Sequence, residues 1–437
     1  MNILIVLTAG LLLRLISINQ SLWLDEATTA IVAGFSLTDF FTKFMPADFH
    51  PPLYYLIIHY WSLLFGTSEI AIRIPSVIFG LLTIYITYLI AKQFKSDNKS
   101  KITWPIVPAL FLATSGLHIY YSQEARMYSL ATFLVTLIIY LFILKKWKWL
   151  ALSFVLLFLT DYLAMIIVPV LFAYTYFNDK KFFKKLVYSV IPVFATFLLW
   201  WPILNKQLSA GFALKETSSA WWNALGPVTF KNVALIPTKF LIGRVSFENK
   251  LLYGIVMIVI STIFIYVIGR AKNKLVWYWF AGSLVFGILL SVYVPTLTYF
   301  RYLFILPAFY LLLSETRSKL FIYFVLLINL LSSYFYLSWP KFQRENWRQL
   351  SSMVKNNPIV YSNFSQREAL IYYGLNDQVI LPSEINTNIH KTVWLSRYVV
   401  NIADPNDSAR QKVEELGYNW NEEINLNGVI FWKYIKQ

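Results

Sequence analysis

The sequence predicts an α-helical polytopic membrane protein with a small C-terminal α/β domain outside the membrane. Of its 437 residues, 58% are hydrophobic and only 14% are charged, which leaves too little polar surface for a soluble fold. Apolar runs long enough to cross a hydrocarbon core of about 30 Å recur between residues 2 and 338. The composition then changes abruptly, so we expect a membrane part, 1–338, and a soluble part, 339–437.

About eleven membrane crossings account for the apolar runs. They are expected near residues 2–18, 70–91, 103–117, 127–144, 149–160, 162–177, 186–204, 251–268, 276–294, 302–314 and 320–338. The first run has no charged segment before it and no small-residue cleavage site after it, which predicts an anchor and not a signal peptide. The stretch 52–66 is ambiguous, and we interpret it as re-entrant or interfacial because a full crossing there would invert everything that follows.

Basic residues cluster in the short loops between these crossings, and this clustering predicts the orientation. They are Lys92, Lys95, Lys99, Lys101, Lys145, Lys146, Lys148, Lys180, Lys181, Lys184, Lys185, Arg270, Lys272, Lys274, Arg317 and Lys319. Since short basic loops stay cytoplasmic, we expect a multi-pass protein of the cell (inner) membrane with a cytoplasmic N-terminus and an extracytoplasmic C-terminal domain. The net charge of +16 comes from these loops, because residues 339–437 carry 11 basic and 10 acidic residues, and a nucleic-acid partner is therefore not expected.

The first predicted outer loop, residues 19–68, contains an acidic pair that is a candidate catalytic group. Asp25 and Glu26 lie between apolar residues just beyond the first crossing. Partial burial there would raise a carboxyl pKa and produce a group able to act as a base. The alternative is that the pair simply begins an amphipathic interfacial helix.

Other outer segments contain candidate ligands for an anionic substrate. His50 stands before two prolines that restrict its backbone, and Arg73 opens the next crossing. Each has an ordinary alternative: His50 as an interfacial residue without a partner, and Arg73, like Arg14, as an anchor that reaches toward the headgroups. Two further segments, 120–129 with Tyr121, Glu124 and Arg126, and 299–302 with Arg301 and Tyr302, are unusually polar and aromatic for membrane turns. Together these groups suit an anionic lipid-linked substrate.

Five short fragments, in this order and spacing, resemble the signatures of glycosyltransferase family 39 of the GT-C superfamily. They are LWLDE at 22–26, HPPLYY at 50–55, RIPS at 73–76, YSQEAR at 121–126 and RY at 301–302. This family is similar to protein O-mannosyltransferases and to bacterial aminoarabinose transferases. Aminoarabinose transferases have a lysine at the position of His50, which argues against their donor and acceptor pair here.

The resemblance implies an inverting transfer of a hexose or pentose from a polyprenyl-monophosphate carrier to an outer acceptor, which is a protein, a lipid or a glycan. Asp25 corresponds to the catalytic base and Glu26 to its supporting neighbour. Donor phosphate and substrate would be bound by His50, Arg73, Tyr121, Glu124, Arg126, Arg301 and Tyr302. No cofactor is expected, and although some GT-C relatives use a divalent cation, the sequence shows no metal-ligand spacing and, with no cysteine, no thiolate site.

Two predictions concern the remaining segments. The outer loop 205–250 would cover a lipid groove, grip the acceptor, or lie in the interface as a helix with a belt of tryptophans. The soluble tail is expected to have strands at 358–361, 392–395 and 428–432 and helices at 347–354 and 407–416. This tail would serve as a scaffold or recognise acceptors. A transporter or flippase of lipid-linked sugars is the main alternative function, although no inverted repeat is visible, and a polymerase that uses pyrophosphate-linked glycans is a third.

Overall fold

The structure is a computed structural model that describes residues 2–96, 104–217, 219–316 and 318–436. Lys99, Lys101 and Arg317, three of the predicted inner-loop basic residues, lie outside the described residues, as does the side chain of Lys95.

The first part of the chain is a bundle of apolar helices. Within the described residues, five helical segments are long and apolar enough to cross a membrane: Glu69–Phe94, Lys180–Ala213, Lys250–Ile268, Lys274–Ser291 and Lys319–Ser338. Six shorter apolar helical segments accompany them: Ile3–Leu15, Leu53–Phe65, Tyr128–Ile143, Trp147–Phe158, Leu163–Asn178 and Tyr299–Leu313. The predicted fold class, a polytopic helical membrane protein, is confirmed.

The third predicted crossing, 103–117, is not one helix. Ile106–Thr114 ends at Ser115, whose backbone is extended, and Gly116–Ser122 starts a second helix directly afterwards. The Ser115 hydroxyl accepts a hydrogen bond from the His118 N–H and so caps this second helix. The break directs the polar segment that follows residue 122 into the interior of the protein.

The remaining helices of this part lie in the connections. The first loop contains Leu24–Val32, Leu37–Asp39 and a π-helical turn, Phe40–Phe44. The helix that includes the predicted crossing 186–204 runs from Lys180 to Thr217 with Pro192 and Pro202 inside it, so it extends well into the predicted loop 205–250. That loop also contains Ser219–Ala224 and Phe230–Ile242. Shorter segments inside or between crossings are Leu163–Ile166, Ile167–Asn178, Lys274–Trp277, Tyr278–Gly282, Ser283–Ser291, Tyr299–Ile305, Leu306–Leu313 and Pro340–Phe342.

Contacts between loops divide the bundle into two ends. At one end the predicted inner loops meet, since Lys145 pairs with Asp179 and the Lys272 N–H donates to Glu315. At the other end the predicted outer loops meet, since the Leu53 N–H donates to the Leu159 carbonyl. The predicted inner loops thus meet at one end and the predicted outer loops at the other, and which end faces the cytoplasm stays a prediction.

A five-stranded mixed sheet with short helices forms the end of the chain. The strands are β1 Ile359–Val360, β2 Val379–Ile380, β3 Thr392–Ser396, β4 Asn419–Leu426 and β5 Val429–Ile435, in the order β2-β1-β3-β5-β4. β1 pairs in parallel with β2 and β3, and β5 pairs antiparallel with β3 and β4. The helical segments are Trp347–Val354, Glu368–Tyr372, Asn376–Gln378, Pro382–Glu384, Val400–Ala403 and Ser408–Glu415.

The sequence located three of these strands and missed β2 and β4. β4 has a polar sequence, NWNEEINL, and is almost entirely exposed at the edge of the sheet. It therefore lacks the alternation of apolar and polar residues that identifies a half-buried strand. β2 has only two residues. Both predicted helices of the tail are present, as Trp347–Val354 and Ser408–Glu415.

The sheet region sits against the outer-loop end of the bundle. The Leu22 N–H donates to the Tyr373 hydroxyl (2.9 Å), and the Arg348 N–H donates to the Ser21 hydroxyl (3.0 Å). The Arg348 guanidinium also pairs with Glu69 (2.7 Å). Helix Glu368–Tyr372 packs directly on helix Leu24–Val32, so the acidic pair lies at the junction of the two parts.

Candidate active site

The acidic pair occupies the first turn of helix Leu24–Val32. Acidic residues at this position are favoured because the unpaired N–H groups of the first turn carry partial positive charge. Neighbouring residues on a helix point in directions about 100° apart. In this fold the Glu26 side chain is fully buried, whereas 40% of the Asp25 side chain is exposed. The two carboxylates therefore have different roles.

Glu26 is held inside the protein by cations and a backbone N–H. Arg73 donates from Nε to Glu26 Oε1 (2.8 Å) and from Nη2 to Glu26 Oε2 (2.5 Å). The Ala125 N–H donates to Glu26 Oε1 (2.8 Å), which ties the first outer loop to segment 120–129. Burial alone would raise the pKa of Glu26, but Arg344 and Arg73 outweigh it and lower that pKa. The expectation of a raised pKa is thus wrong for Glu26, which is an ionised structural anion.

Arg73 has no N–H left for a donor phosphate. Besides its two bonds to Glu26, Nη1 donates to the carbonyls of Ile18 (2.7 Å) and Gln20 (2.6 Å), and Nη2 donates to that of Ser21 (3.0 Å). An arginine side chain has five N–H groups, and all five are used. In this structure Arg73 fixes the chain just before Asp25, and its predicted role in donor phosphate binding stays a prediction.

Arg344 lies in this charge network, and the sequence reasoning did not select it as a site residue. Its side chain is buried, donates from Nη1 to Glu124 Oε2 (2.9 Å) and lies with Nε 3.7 Å from Glu26 Oε2. It also donates from Nη2 to the carbonyls of Tyr120 and Gln123. The signal in the sequence was the segment RENWR at 344–348, which resembles the junction after the last crossing in bacterial members of the family. Arg344 joins the sheet region to both carboxylates.

Glu124 differs from Glu26 although the two share Arg344. Burial raises the pKa of Glu124, and the negative charge of Glu26 adds to this rise while Arg344 opposes it. Its side chain is almost fully buried. Glu124 therefore belongs to the internal charge network, and its predicted contact with substrate stays a prediction.

Asp25 faces Arg126, which residues of the segment 48–55 hold in place. Arg126 Nη2 lies 3.6 Å from Asp25 Oδ2 and within 3.2 Å of the His50 ring, and Arg126 Nη1 donates to the Tyr55 hydroxyl (2.8 Å). His50 in turn contacts Asp48 at 3.3 Å. The Arg126 Nε is buried and has no hydrogen-bond partner among the described residues, so this guanidinium retains an N–H for a ligand.

Asp48, a carboxylate of the first outer loop, lies beside His50 in the structure. Burial alone would raise its pKa, but His50 and Arg126 outweigh burial and lower the pKa of Asp48 to about 2. The ionised carboxylate fixes the His50 ring next to Arg126. Gln207 adds a second constraint by donating to the backbone carbonyls of Met45 (2.8 Å) and His50 (3.3 Å).

Segment 299–302 contributes one cation to the site and one core residue. Arg301 is half-buried and makes only two long hydrogen bonds, to the carbonyls of Leu225 (3.4 Å) and Pro295 (3.3 Å). Tyr302 is fully buried, with its ring against Gly287. The structure thus places Tyr302 in the core, and its predicted contact with substrate stays a prediction. Tyr121 is also buried, and its ring packs against Tyr128 and Phe300 below the site.

Arg244, in the predicted outer loop 205–250, supplies another cation. Its Nη1 donates to the Tyr120 hydroxyl (2.6 Å), and its guanidinium lies 4.5 Å from the centre of that ring. Gly243 before it has a φ of +61°, and a Cβ there would come within 2.9 Å of the Ser332 hydroxyl. Only glycine permits this turn. Arg244 is exposed, although protein groups surround it, which places it in a concave part of the surface.

The described residues contain no group of three or more His, Asp or Glu side chains arranged to hold a metal ion. That the chain needs no divalent cation stays a prediction.

Two solved structures have the same fold as this chain. ArnT from Cupriavidus metallidurans, in a crystal structure with bound undecaprenyl phosphate, aligns over 98% of this chain and 97% of its own with a TM-score of 0.58 at 10% identity. The oligosaccharyltransferase of Archaeoglobus fulgidus, in a complex with zinc and sulfate, aligns over 98% of this chain and 72% of its own with a TM-score of 0.52 at 12% identity. The chain thus has the fold of the GT-C glycosyltransferases.

A comparison of sequences identifies a family that matches part of the chain. Residues 49–201 match the family described as dolichyl-phosphate-mannose-protein mannosyltransferase, which confirms the resemblance predicted from the motifs. The matched stretch includes His50, Arg73 and Arg126 but not Asp25 or Arg301. No curated protein sequence matches the chain.

Proposed function

We propose that this protein is an inverting glycosyltransferase that moves a sugar from a polyprenyl-monophosphate carrier to an acceptor on the extracytoplasmic side of the membrane. The observation that carries the proposal is the position of Asp25: a half-exposed carboxylate, 3.6 Å from the Arg126 guanidinium, at the outer-loop end of a GT-C bundle. ArnT, which has the same fold, was crystallised with undecaprenyl phosphate, and this supports a carrier of the same chemical class.

The proposed reaction uses Asp25 as the general base. An Asp25 carboxylate oxygen takes the proton of an acceptor hydroxyl, and the oxygen of this hydroxyl forms a bond to the anomeric carbon. The bond between the anomeric carbon and the phosphate oxygen breaks, and the electron pair leaves with the polyprenyl phosphate on the opposite face. The configuration at the anomeric carbon is therefore inverted.

The cations around Asp25 suit the leaving phosphate. Arg126 is held at Tyr55 and His50 with a free Nε, and the weak bonds of Arg301 can be exchanged for bonds to a phosphate oxygen. Fixed donors in a partly dehydrated site stabilise charge that develops in the transition state without reorganising. Glu26, Arg73 and Arg344 do not contact the substrate in this proposal and instead hold the catalytic loop in place.

The two parts of the chain are proposed to divide the work. Residues 1–338 would form the catalytic module in the cell membrane, and residues 339–437 an extracytoplasmic domain that closes over the first outer loop. The sugar is proposed to be a hexose or a pentose, and neither a nucleotide sugar nor another cofactor takes part.

The test is sugar transfer from a panel of radiolabelled undecaprenyl-phosphate hexoses and pentoses, with membranes that contain the wild-type chain or a variant. Asp25→Asn should lower transfer by at least about 100-fold, the lower end of the usual effect of a general base. Binding of ³²P-undecaprenyl phosphate should be retained, since Asp25 does not bind the phosphate.

Asp39→Asn is the matched control. Asp39 lies on the same outer loop, is 41% exposed and pairs with Lys43 on the surface, so its loss should leave transfer unchanged. Equal transfer by wild type and Asp25→Asn would remove Asp25 from the role of base. If the wild-type protein transfers sugar from none of the donors in the panel, the proposed function is refuted.

A further inference from the structure

The first helix of the bundle, Ile3–Leu15, contains an arginine that is completely buried. Arg14 is 0% exposed, so it does not reach toward the headgroups as an interfacial anchor would. A charged side chain inside a membrane bundle is costly and usually has a specific purpose. Within the described residues Arg14 pairs with no carboxylate, and its partners are backbone carbonyls and one histidine. These partners indicate what the charge does.

Arg14 binds carbonyls at the helix break of Ser115. Helix Ile106–Thr114 ends there, and the last four carbonyls of a helix have no N–H partner within it. Arg14 Nη1 donates to the Ala113 carbonyl (3.2 Å), and Nη2 donates to the Leu112 carbonyl (3.3 Å). A cation is favoured at this position because the carbonyl end of a helix carries partial negative charge. Arg14 therefore replaces donors that an unbroken helix would supply.

The last helix of the bundle, Lys319–Ser338, holds the other two terminal carbonyls. Asn329 Nδ2 donates to the carbonyl of Phe111 (3.0 Å), and Ser333 Oγ donates to that of Thr114 (2.7 Å). All four carbonyls thus have a side-chain donor from another helix. The break is therefore a stable feature of the fold, and two of its four carbonyls depend on the first helix.

Arg14 also holds the short helix Gly116–Ser122 that follows the break. Arg14 Nη2 lies 2.6 Å from His118 Nδ1. Because a guanidinium group only donates, Nδ1 accepts this hydrogen bond and the His118 ring is neutral. Just beyond the other end of the short helix, Gln123 Nε2 donates to the carbonyls of Arg14 (2.8 Å) and Ile16 (2.6 Å). One residue of the first helix thus contacts both ends of the short helix.

The short helix leads directly to the groups proposed to react. The Ala125 N–H donates to Glu26 Oε1 (2.8 Å), and Arg126 Nη2 lies 3.6 Å from Asp25 Oδ2. Asp25 follows the first helix in the chain, and Arg126 follows the short helix. The contacts of Arg14 between these two helices therefore couple the position of Arg126 to that of Asp25.

We infer that Arg14 is a positioning residue of the transferase, which holds the short helix Gly116–Ser122 against the first helix and so sets the place of Arg126 relative to Asp25. The inference rests on the proposed function. Arg14 acts through Arg126 and not on the substrate. A displacement of about 1 Å at a reacting group can lower a rate about 100-fold, so a small shift of the short helix is enough to reduce transfer.

The first experiment measures the position of the short helix and needs no turnover. The chain has no cysteine, and Ser122 is fully buried on this helix, so Ser122→Cys introduces a single, protected thiol. We expect slow reaction with N-ethylmaleimide in the otherwise wild-type protein. Adding Arg14→Gln should make the reaction at least about tenfold faster, because thiols in locally opened segments react first.

Two control variants separate this effect from a general loss of stability. Arg270→Gln removes an exposed arginine that lies 4.1 Å from the centre of the Tyr266 ring, and it makes the same chemical change as Arg14→Gln. Phe182→Leu removes part of a buried ring that packs against Phe142 near the inner loops, and the cavity lowers stability at the other end of the bundle. Labelling should stay slow in both.

The second experiment compares initial transfer rates per folded protein at saturating donor and acceptor. Arg14→Gln should lower kcat about 10- to 100-fold, whereas Phe182→Leu and Arg270→Gln should keep the wild-type kcat. A role in stability alone would reduce the amount of folded protein and leave its kcat unchanged. Arg14→Lys keeps the charge but lacks the planar fork that bridges the two carbonyls and His118, so intermediate values of labelling and kcat are expected.

Three results would overturn the inference. They are unchanged labelling in Arg14→Gln, equally fast labelling in Phe182→Leu, or a wild-type kcat in folded Arg14→Gln. If Arg14→Gln does not fold, wild-type labelling and kcat in Arg14→Lys overturn the inference. If the wild-type protein transfers sugar from no donor, the proposed function fails, while labelling still shows whether Arg14 holds the short helix.

Discussion

Replacing Glu26 with glutamine removes a negative charge from a position where two guanidinium groups depend on it. The Glu26 side chain is fully buried, bonded to Arg73 at 2.8 and 2.5 Å and 3.7 Å from Arg344. Glutamine has nearly the same shape, but it offers one acceptor and presents an NH₂ group where an acceptor is needed. Glu26→Gln would therefore leave Arg73 buried with incomplete compensation.

The expected cost follows from this burial. Removing one partner of a buried ion pair typically destabilises a protein by about 3–5 kcal/mol, because the remaining charge stays in a poorly polarisable environment. An exposed pair contributes only about 0–1 kcal/mol. Asp39 and Lys43 form such a pair on the same outer loop, with side chains 41% and 75% exposed. Asp39→Asn likewise replaces a carboxylate with an amide, and its loss of unfolding free energy should be several-fold smaller than that of Glu26→Gln.

The assay is equilibrium unfolding of purified wild-type, Glu26→Gln and Asp39→Asn proteins in mixed micelles with rising SDS mole fraction. The chain has 16 tryptophans, so intrinsic fluorescence follows the transition, and linear extrapolation compares the free energies of unfolding. Losses of the same size in both variants, or a loss below about 1 kcal/mol for Glu26→Gln, would show that Glu26 is not a buried charge partner.

Two further outcomes follow from particular contacts. Gly287→Ala should destabilise the protein by about 1–3 kcal/mol because the new Cβ would lie 2.2 Å from the hydroxyl of the buried Tyr302. Gly254→Ala is the control and should not destabilise the protein, since nothing lies within 4 Å of the added Cβ. Equal unfolding midpoints for the two variants would contradict this packing. Because the pKa of Asp48 is lowered from 3.8 to about 2, its contribution to stability is complete above pH 4 and is lost as the pH falls toward 2. Unfolding measured between pH 5 and pH 2.5 should therefore depend less on pH in Asp48→Asn than in wild type, and parallel curves would refute the shift.

The helical bundle was largely predictable because each crossing is encoded locally. A run of apolar residues of sufficient length forms a helix in lipid whatever the rest of the chain does. The failure at 103–117 is equally local in origin: Ser115 interrupts an apolar run with an extended residue and a new helix cap, and hydropathy averaged over a window does not detect such a break.

The site was only partly predictable, because its contacts join residues far apart in the chain. Arg344 is separated from Glu124 by 220 residues and Arg244 from Tyr120 by 124. Nothing local distinguishes these arginines from solvated ones. Arg73 shows the converse, since its position suggested a phosphate ligand and the fold instead uses every one of its N–H groups internally.

By itself the sequence determined that the chain is a membrane protein, which segments are apolar enough to cross, and that carboxylates and arginines lie in the predicted outer loops. Only the tertiary structure decided which carboxylate of the acidic pair is accessible to a substrate. Asp25 and Glu26 are adjacent and chemically similar, yet one is 40% exposed and the other fully buried. Neighbouring helix positions face different directions, and which direction is the interior depends on the segments that pack against the helix.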